Sequence, residues 1–199
     1  MISIRQVLTG EPIRLRYIKC FSICPRVHEE SVAEHSFYVA FIAMMLAEVL
    51  KKSGHKINVG LLLSRALIHD LDEVFSGDFI RMFKHHNEPV KIAIEATSRA
   101  MMEGFVKDYP AGAQLMEYWQ TSKAQDIEGY ILAYADYLSV LSYIWQEINA
   151  GNHAMLNQVD EMAKFSNTFN DTKYDMLKEY HVEAAQILKE LINLKAKRR

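Results

Sequence analysis

Residues 31–52 read SVAEHSFYVAFIAMMLAEVLKK, and this segment gives the clearest indication of the fold class. Its apolar residues recur at helical spacing behind a histidine, along the stripe His35, Val39, Ile42, Leu46 and Val49. Ser31 and Glu34 stand at the spacing of a capping box, and Gly54 follows the last turn. The pattern predicts one long amphipathic helix over this stretch.

The rest of the chain repeats this kind of pattern. Scarce Pro and Gly residues separate further predicted helices at residues 58–74, 90–107, 113–121, 124–150 and 174–195. No segment shows sustained alternation of polar and apolar residues, so no sheet is predicted. The expected fold class is therefore all-α, a single compact helical bundle.

Composition excludes several classes of protein. The 199 residues are 50% hydrophobic and 24% charged, which excludes disorder and low complexity. A net charge of −2 gives no general basic field, so no nucleic-acid polymer is expected as a partner. Residues 1–16 lack the apolar core of a signal peptide, and the longest apolar stretch, residues 37–47, is too short for a bilayer. With two cysteines and no disulfide framework, a soluble cytoplasmic protein without membrane contact is expected.

Four polar residues interrupt the apolar stripes. Asp136 lies within a helix that is apolar on most faces, His69 and Asp70 follow an apolar run, and His35 heads the first stripe. A buried carboxylate is costly unless it is paired, protonated or bound to a cation. Two imidazoles and two carboxylates suit a divalent transition metal and leave two coordination positions for water and a substrate oxygen.

Taken one at a time, these residues leave other interpretations open. His35 alone fits a hydrogen-bonded core histidine, Asp136 fits a pair with a buried Arg or Tyr, and the His69-Asp70 pair fits the polar end of a helix. Glu73 and Asp78 follow closely, and a carboxylate that is not a ligand can act as general acid or base beside a metal.

The ordered set of these residues resembles a known family. His35, His69-Asp70 and the distant Asp136 resemble the H…HD…D signature of the HD-domain metal-dependent phosphohydrolases. SVAEHS at 31–36 resembles the ENVAEHS segment of the bacterial 5′-deoxynucleotidase branch, and HDLDEVFSGD at 69–78 is similar to its HDxxEVxxGD segment. Residues 134–136 and 147–152 also have counterparts, so the resemblance covers roughly residues 15–190.

The resemblance implies one HD-type domain over residues 1–199, a homodimer, and hydrolysis of nucleoside 5′-monophosphates, preferably the deoxy forms. A divalent ion, whether Mn, Co, Zn, Fe or Mg, would be held by the two histidines and two aspartates. Glu73 would assist the attacking water or the leaving oxygen, and Asp78 would lie near the sugar and the water.

One segment departs from the branch, which usually has an Arg-Trp pair upstream of EHS. Here residues 19–22 read KCFS, so Phe21 keeps an aromatic wall but Cys20 cannot replace a guanidinium. Lys19, Arg26 or Lys84 would then bind the phosphate. Two alternatives remain open for the function: hydrolysis of another small phosphate ester, or a non-catalytic protein that binds metal or nucleotide.

Overall fold

The structure is a computed structural model that describes residues 9–79, 81–84, 86–107, 109 and 111–198. Across these ranges the chain forms nine α-helices: α1 Val32–Lys52, α2 Val59–Ile68, α3 Glu73–Ser76, α4 Arg81–Lys84, α5 Glu88–Val106, α6 Gly112–Thr121, α7 Ile127–Asn149, α8 Val159–Asn167 and α9 Lys178–Ala196. Short 3-10 helices lie at Glu11–Arg16, His153–Gln158, Thr168–Asn170 and Thr172–Leu177. The β pairing in these ranges is one isolated bridge between Lys19 and Ser31.

Helix α1 begins where the sequence predicts. The Ser31 hydroxyl accepts a hydrogen bond from the Glu34 backbone N–H at 3.2 Å, and the Glu34 carboxylate accepts one from the Ser31 N–H at 2.7 Å. These reciprocal bonds satisfy two backbone donors that a helix start leaves unpaired. The predicted capping box is confirmed.

The second predicted helix is shorter than expected. Asn58 caps it by accepting a hydrogen bond from the Leu61 N–H, but α2 ends at Ile68 rather than near residue 74. The chain then makes tight turns in which the Leu71 and Glu73 N–H groups donate three residues back, to Ile68 and Asp70. His69 and Asp70 therefore lie in a turn between α2 and α3, not inside a continuous helix.

The remaining boundaries shift by a few residues, and the short helices α4 and α8 were not predicted. Helix α7 starts after residue 126 rather than at 124, because Asp126 caps it by accepting from the Gly129 N–H at 2.8 Å. Helix α9 starts four residues later than expected, because 3-10 helix Thr172–Leu177 precedes it. Helix α8 and the 3-10 segments around it are short, and they lack the extended run of apolar residues at helical spacing from which the other helices were predicted.

Two apolar clusters form the interior. The larger one lies where α1 packs against α2 and α7, and its fully buried members include Val39, Ala43, Leu62, Ile131 and Ile144. The smaller one lies at the start of α1 and contains Leu15, Val32, Leu71, Val74 and Met102. Both α1 and the α2–α3 segment pass from one cluster to the other, so His35 and His69 lie at the border between the two.

Helix α1 is also long and apolar enough to span a membrane, judged by length and composition, with a mean hydropathy of 1.4 over its best window. The core helix of a soluble protein passes the same test. Its inner face is buried against α2 and α7, and Phe37, Phe41 and Met45 on its other side are exposed.

The domain extent of 1–199 stays a prediction, because residues 1–8 and 199 lie outside the described ranges.

A buried histidine lies in an aromatic cluster behind α7. The His181 ring contacts Tyr134, Tyr137 and Phe169 with centroid distances of 5.8, 6.0 and 5.8 Å. Its Nε2 lies 3.5 Å from the Ser166 hydroxyl, and its buried Nδ1 has no hydrogen-bond partner among the described residues. Burial lowers the pKa of His181 below the ordinary 6.5, so the folded state favours the neutral ring.

His181 is expected to make stability depend on pH. As the pH falls through 6.5 the unfolded chain takes up a proton that the folded chain resists, so the free energy of unfolding decreases. His181→Phe keeps an aromatic ring without the titration and should flatten this dependence in thermal unfolding from pH 7.5 to 5.5, measured in chelator. His153→Gln, at an exposed position, should keep the wild-type slope. An unchanged slope in His181→Phe would contradict the prediction.

Candidate metal centre and cavity

Three of the predicted metal ligands converge from three different segments. His35 lies one turn into α1, His69 lies at the end of α2, and Asp136 lies in the middle of α7. One ligand atom from each lies within 4.8 Å of the others. Residues 35, 69 and 136 are far apart in sequence, so only the packing of α1 with α2 and α7 brings them together.

The His35 ring is oriented by contacts on both of its nitrogens. Nδ1 lies 3.3 Å from the Ser139 hydroxyl, which α7 supplies one turn after Asp136. Nε2 lies 3.2 Å from Asp136 Oδ1 and 3.7 Å from Asp70 Oδ2. The nitrogen that faces the carboxylates is therefore the one available as a ligand.

His69 is fixed in the same way from the other side. Its Nδ1 lies 2.8 Å from the Ala66 carbonyl oxygen and donates a hydrogen bond to it, so Nε2 is left as the ligand atom. Nε2 is buried and lies 3.0 Å from Asp70 Oδ2, but in an orientation that makes no hydrogen bond. A buried nitrogen of this kind, facing two carboxylates and a second imidazole, fits coordination to a metal ion.

The charges of the four groups support each other. Burial alone would lower the pKa of His35 and of His69, but Asp136 and Asp70 outweigh it and raise both, that of His69 to about 9. Burial alone would raise the pKa of the two carboxyl groups, but the imidazoles outweigh it and lower the pKa of Asp70 and of Asp136. Two anions held at the border of two apolar clusters need a cation, and a divalent ion matches their charge.

Glu73 is buried on the cavity wall at the start of α3. Burial, and then the charges of Asp70 and Asp78, raise the pKa of Glu73 to about 10. This environment favours the protonated form of the side chain. A carboxylic acid in that state is suited to donate a proton to a leaving oxygen.

Asp78 holds a strained residue of the loop that precedes α1. Gly77, with φ +71°, turns the chain out of α3, and Asp78 then accepts a hydrogen bond from the Phe21 N–H at 2.9 Å. Phe21 is in the left-handed region with φ +53°, which costs a residue other than glycine about 1–3 kcal/mol. The bond to Asp78 and the stacking of Phe21 on Tyr143, with centroids 5.3 Å apart, offset this cost.

The same loop is anchored to the far end of α7. Glu147 is fully buried, and its carboxylate accepts hydrogen bonds of 2.7 Å from both the Val27 and the His28 N–H groups. Asn152 donates to Glu147 at 2.6 Å and to the Pro25 carbonyl at 2.7 Å. The resemblance at residues 147–152 thus falls on side chains that hold the loop in place.

The four predicted metal ligands, together with Glu73 and Asp78, line a cavity of about 810 Å³. This volume lies within the range of small-molecule sites. Eight of the ten candidate site residues named from the sequence line it: His35, His69, Asp70, Asp136, Glu73, Asp78, Phe21 and Lys84.

The structure does not bring Lys19 to the cavity. Its ammonium pairs with Glu29 at 3.2 Å, and it is not among the lining residues. Arg26, the other candidate from the loop, donates to the Cys20 carbonyl at 2.9 Å. Sequence reasoning missed Arg81, which lines the cavity, and its spacing of three residues from Lys84 was the pattern that could have indicated it.

Comparison with known proteins identifies the family. The sequence profile of the 5′-deoxynucleotidase YfbR-like family matches residues 12–185. The chain belongs to this family. The resemblance drawn from the sequence motifs is therefore confirmed.

Individual relatives agree with this assignment. A 5′-deoxynucleotidase of Photorhabdus laumondii is 29% identical over 143 residues, which cover 70% of this chain and 73% of the relative. An HD-domain phosphohydrolase from Listeria innocua has a TM-score of 0.71 at 24% identity, covering 96% and 99% of the two chains. The HD phosphohydrolase of cyanophage S-2L, bound to dA and one catalytic Zn²⁺, has a TM-score of 0.62 at 16% identity, covering 92% and 96%. The solved structures confirm the predicted all-α HD fold.

Removing a predicted ligand should weaken metal binding. We expect His69→Ala to lower Mn²⁺ affinity by about 100-fold or more, because even outer partners of metal ligands are worth 10–100-fold. Isothermal titration of the metal-free protein measures this. His153→Ala, an exposed histidine, is the control and should bind like the wild type. Equal affinity in the His69 variant would show that the ion binds elsewhere.

Proposed function

We propose that this chain is a metal-dependent phosphohydrolase that releases phosphate from nucleoside 5′-monophosphates, with preference for the deoxy forms. The observation that carries the proposal is the convergence of His35, His69, Asp70 and Asp136 on the wall of a cavity large enough for a nucleotide. Membership in a 5′-deoxynucleotidase family supports the substrate class. The dA and zinc in the cyanophage protein fit the same reaction class.

The residues of the chain divide the chemistry among them. His35, His69, Asp70 and Asp136 would hold a divalent ion, which when bound supplies Lewis acidity and lowers the pKa of water. Glu73, whose buried environment favours the protonated form, donates its proton to the 5′ oxygen as the bond from phosphorus to that oxygen breaks. Water supplies the new oxygen on phosphorus and one of its protons returns to the Glu73 carboxylate, so the products are a nucleoside and inorganic phosphate.

Lys84 provides positive charge on the phosphate side of the cavity. It is half-buried, and no described carboxylate forms an ion pair with it. Burial alone would lower the pKa of Lys84, but the nearby carboxylates, Asp70 first, outweigh it, so the net shift is upward and the side chain stays charged. A cation beside the reacting phosphate offsets the charge on its equatorial oxygens.

The activity test is phosphate release from deoxy- and ribonucleoside 5′-monophosphates by Mn²⁺-loaded protein, with and without chelator. We expect turnover that the chelator abolishes. Glu73→Gln should lower kcat by about 10²–10⁴-fold with metal affinity unchanged, because the acid is lost while the ligands stay. Glu103→Gln, exposed on α5, should behave like the wild type.

Two outcomes of the same test would favour the alternatives. If nucleoside monophosphates release no phosphate while another phosphate ester does, the substrate is that ester. If no ester is hydrolysed and chelation only lowers the melting temperature, the protein is a non-catalytic binder.

We also propose that the enzyme is a homodimer. The outer side of α1 presents an apolar stripe in which Phe37 is 60%, Met45 52% and Phe41 47% exposed. These side chains follow each other at four-residue spacing, which places them on one face of the helix. A second copy of the chain would cover this face and remove its apolar surface from water.

Sedimentation velocity tests the dimer. The sedimentation of the wild type should correspond to a dimer, with twice the chain mass of 23.0 kDa. Phe41→Glu should sediment as a monomer, because a charged side chain on this face makes its burial against a second copy unfavourable. Val182→Glu changes an apolar side chain on α9 that is 69% exposed and should leave the dimer intact. A monomeric wild type would overturn the proposal.

We further propose a soluble cytoplasmic enzyme that acts on free nucleotides rather than on a nucleic-acid polymer. The net charge of −2 supports this, because binding to a polymer depends on a basic surface.

A further inference from the structure

The loop before α1 brings no cation to the cavity. Cys20 lies on the cavity wall at the position where the 5′-deoxynucleotidase branch usually has an arginine. Its thiol is buried among acidic groups: burial raises the pKa of Cys20, and the charges of Glu30 and Asp78 raise it further. A phosphate that enters this side of the cavity therefore meets carboxylates and a neutral thiol.

The neighbouring basic residues of the loop do not compensate for this. Lys19 pairs with Glu29, and the Arg26 guanidinium donates to the Cys20 carbonyl, so neither is among the lining residues. The cation that offsets a phosphate dianion must come from another segment of the chain.

Arg81 lies where such a cation is needed. It opens α4 three residues before Lys84, and both side chains line the cavity. Its guanidinium carbon lies 3.7 Å from the centre of the Phe165 ring. That ring lies 5.4 Å from the ring of Tyr137, which directly follows Asp136 in α7. These contacts place the guanidinium beside the helix segment that carries a predicted metal ligand.

The stacking also leaves the donors of Arg81 available. A guanidinium that lies over an aromatic ring keeps its N–H groups in its own plane, and in the described parts of the chain none of them donates a hydrogen bond to another residue. This planar fork of five donors matches the oxygens of a phosphate. Lys84, one turn later, adds a single point charge.

We propose that Arg81, together with Lys84, binds the phosphate of the substrate and takes over the role of the arginine that Cys20 replaces. The inference rests on the proposed phosphohydrolase function and adds a specificity-determining residue to it. The anion-binding guanidinium has moved from the loop before α1 to the start of α4. The aromatic ring that supports it, Phe165, comes from α8.

The test compares wild type, Arg81→Gln, Arg81→Lys and the control Arg99→Gln, whose side chain is exposed on α5 outside the cavity. The affinity of the Mn²⁺-loaded protein for inorganic phosphate is measured by titration. We expect Arg81→Gln to weaken it by about 10- to 100-fold, because hydrogen bonds between charged groups are lost. Arg81→Lys should lie between Arg81→Gln and the wild type, and Arg99→Gln should match the wild type.

A second measurement separates phosphate binding from cavity shape. The product nucleoside, which has no phosphate, should inhibit wild type and Arg81→Gln within about twofold of each other if Arg81 contacts only the phosphate. An equal loss for nucleoside and phosphate would overturn the proposal, as would unchanged phosphate affinity in Arg81→Gln. Adding Cys20→Arg to the Arg81→Gln variant should raise its affinity for inorganic phosphate by about tenfold, because the substitution returns a guanidinium to the loop.

The binding measurement also separates the two proposals. If the wild type releases no phosphate from any nucleoside monophosphate, the proposed function fails. The phosphate affinities of the Arg81 variants still decide whether Arg81 is an anion ligand. If the wild type is active and Arg81→Gln keeps both its KM and its phosphate affinity, only the inference about Arg81 fails.

Discussion

The arrangement of the site depends on the meeting of two imidazole nitrogens and two carboxylates at the border of the two apolar clusters. His35 Nε2 and His69 Nε2 both face Asp70, at 3.7 and 3.0 Å, and His35 also faces Asp136 at 3.2 Å. Such charges are stable in an apolar interior only when they are compensated together. The packing of α1 with α2 and α7 fixes their positions, so the core and the site share one geometry.

The sequence predicted the helical architecture and most of the site because both depend on local patterns. The capping box at Ser31 and the cap at Asn58 give backbone donors a partner close by in the sequence, so the predicted and observed helix starts agree there. The end of α2 could not be predicted, because His69 and Asp70 follow an apolar run that reads as a longer helix. Their turn is supported by contacts with α1 and α7, which are distant in sequence.

The sequence pattern also could not predict where the long cationic side chains point. Lys19 is adjacent to the position of the missing arginine, yet it pairs with Glu29 outside the cavity. Arg81 stands three residues before Lys84 in the sequence, but only the fold shows that it stacks on Phe165, which α8 supplies more than eighty residues later. Cations on flexible stems are placed by their tertiary neighbours, which a single sequence does not encode locally.

The anchoring of the loop by Glu147 has a consequence for ligand affinity. Its carboxylate holds the Val27 and His28 backbone from inside the protein, and Asp78 holds the same loop at the Phe21 N–H. The conformational entropy of this segment is lost when the chain folds. A molecule that enters the cavity therefore meets a preorganised wall, and its binding free energy is not reduced by the cost of ordering the loop.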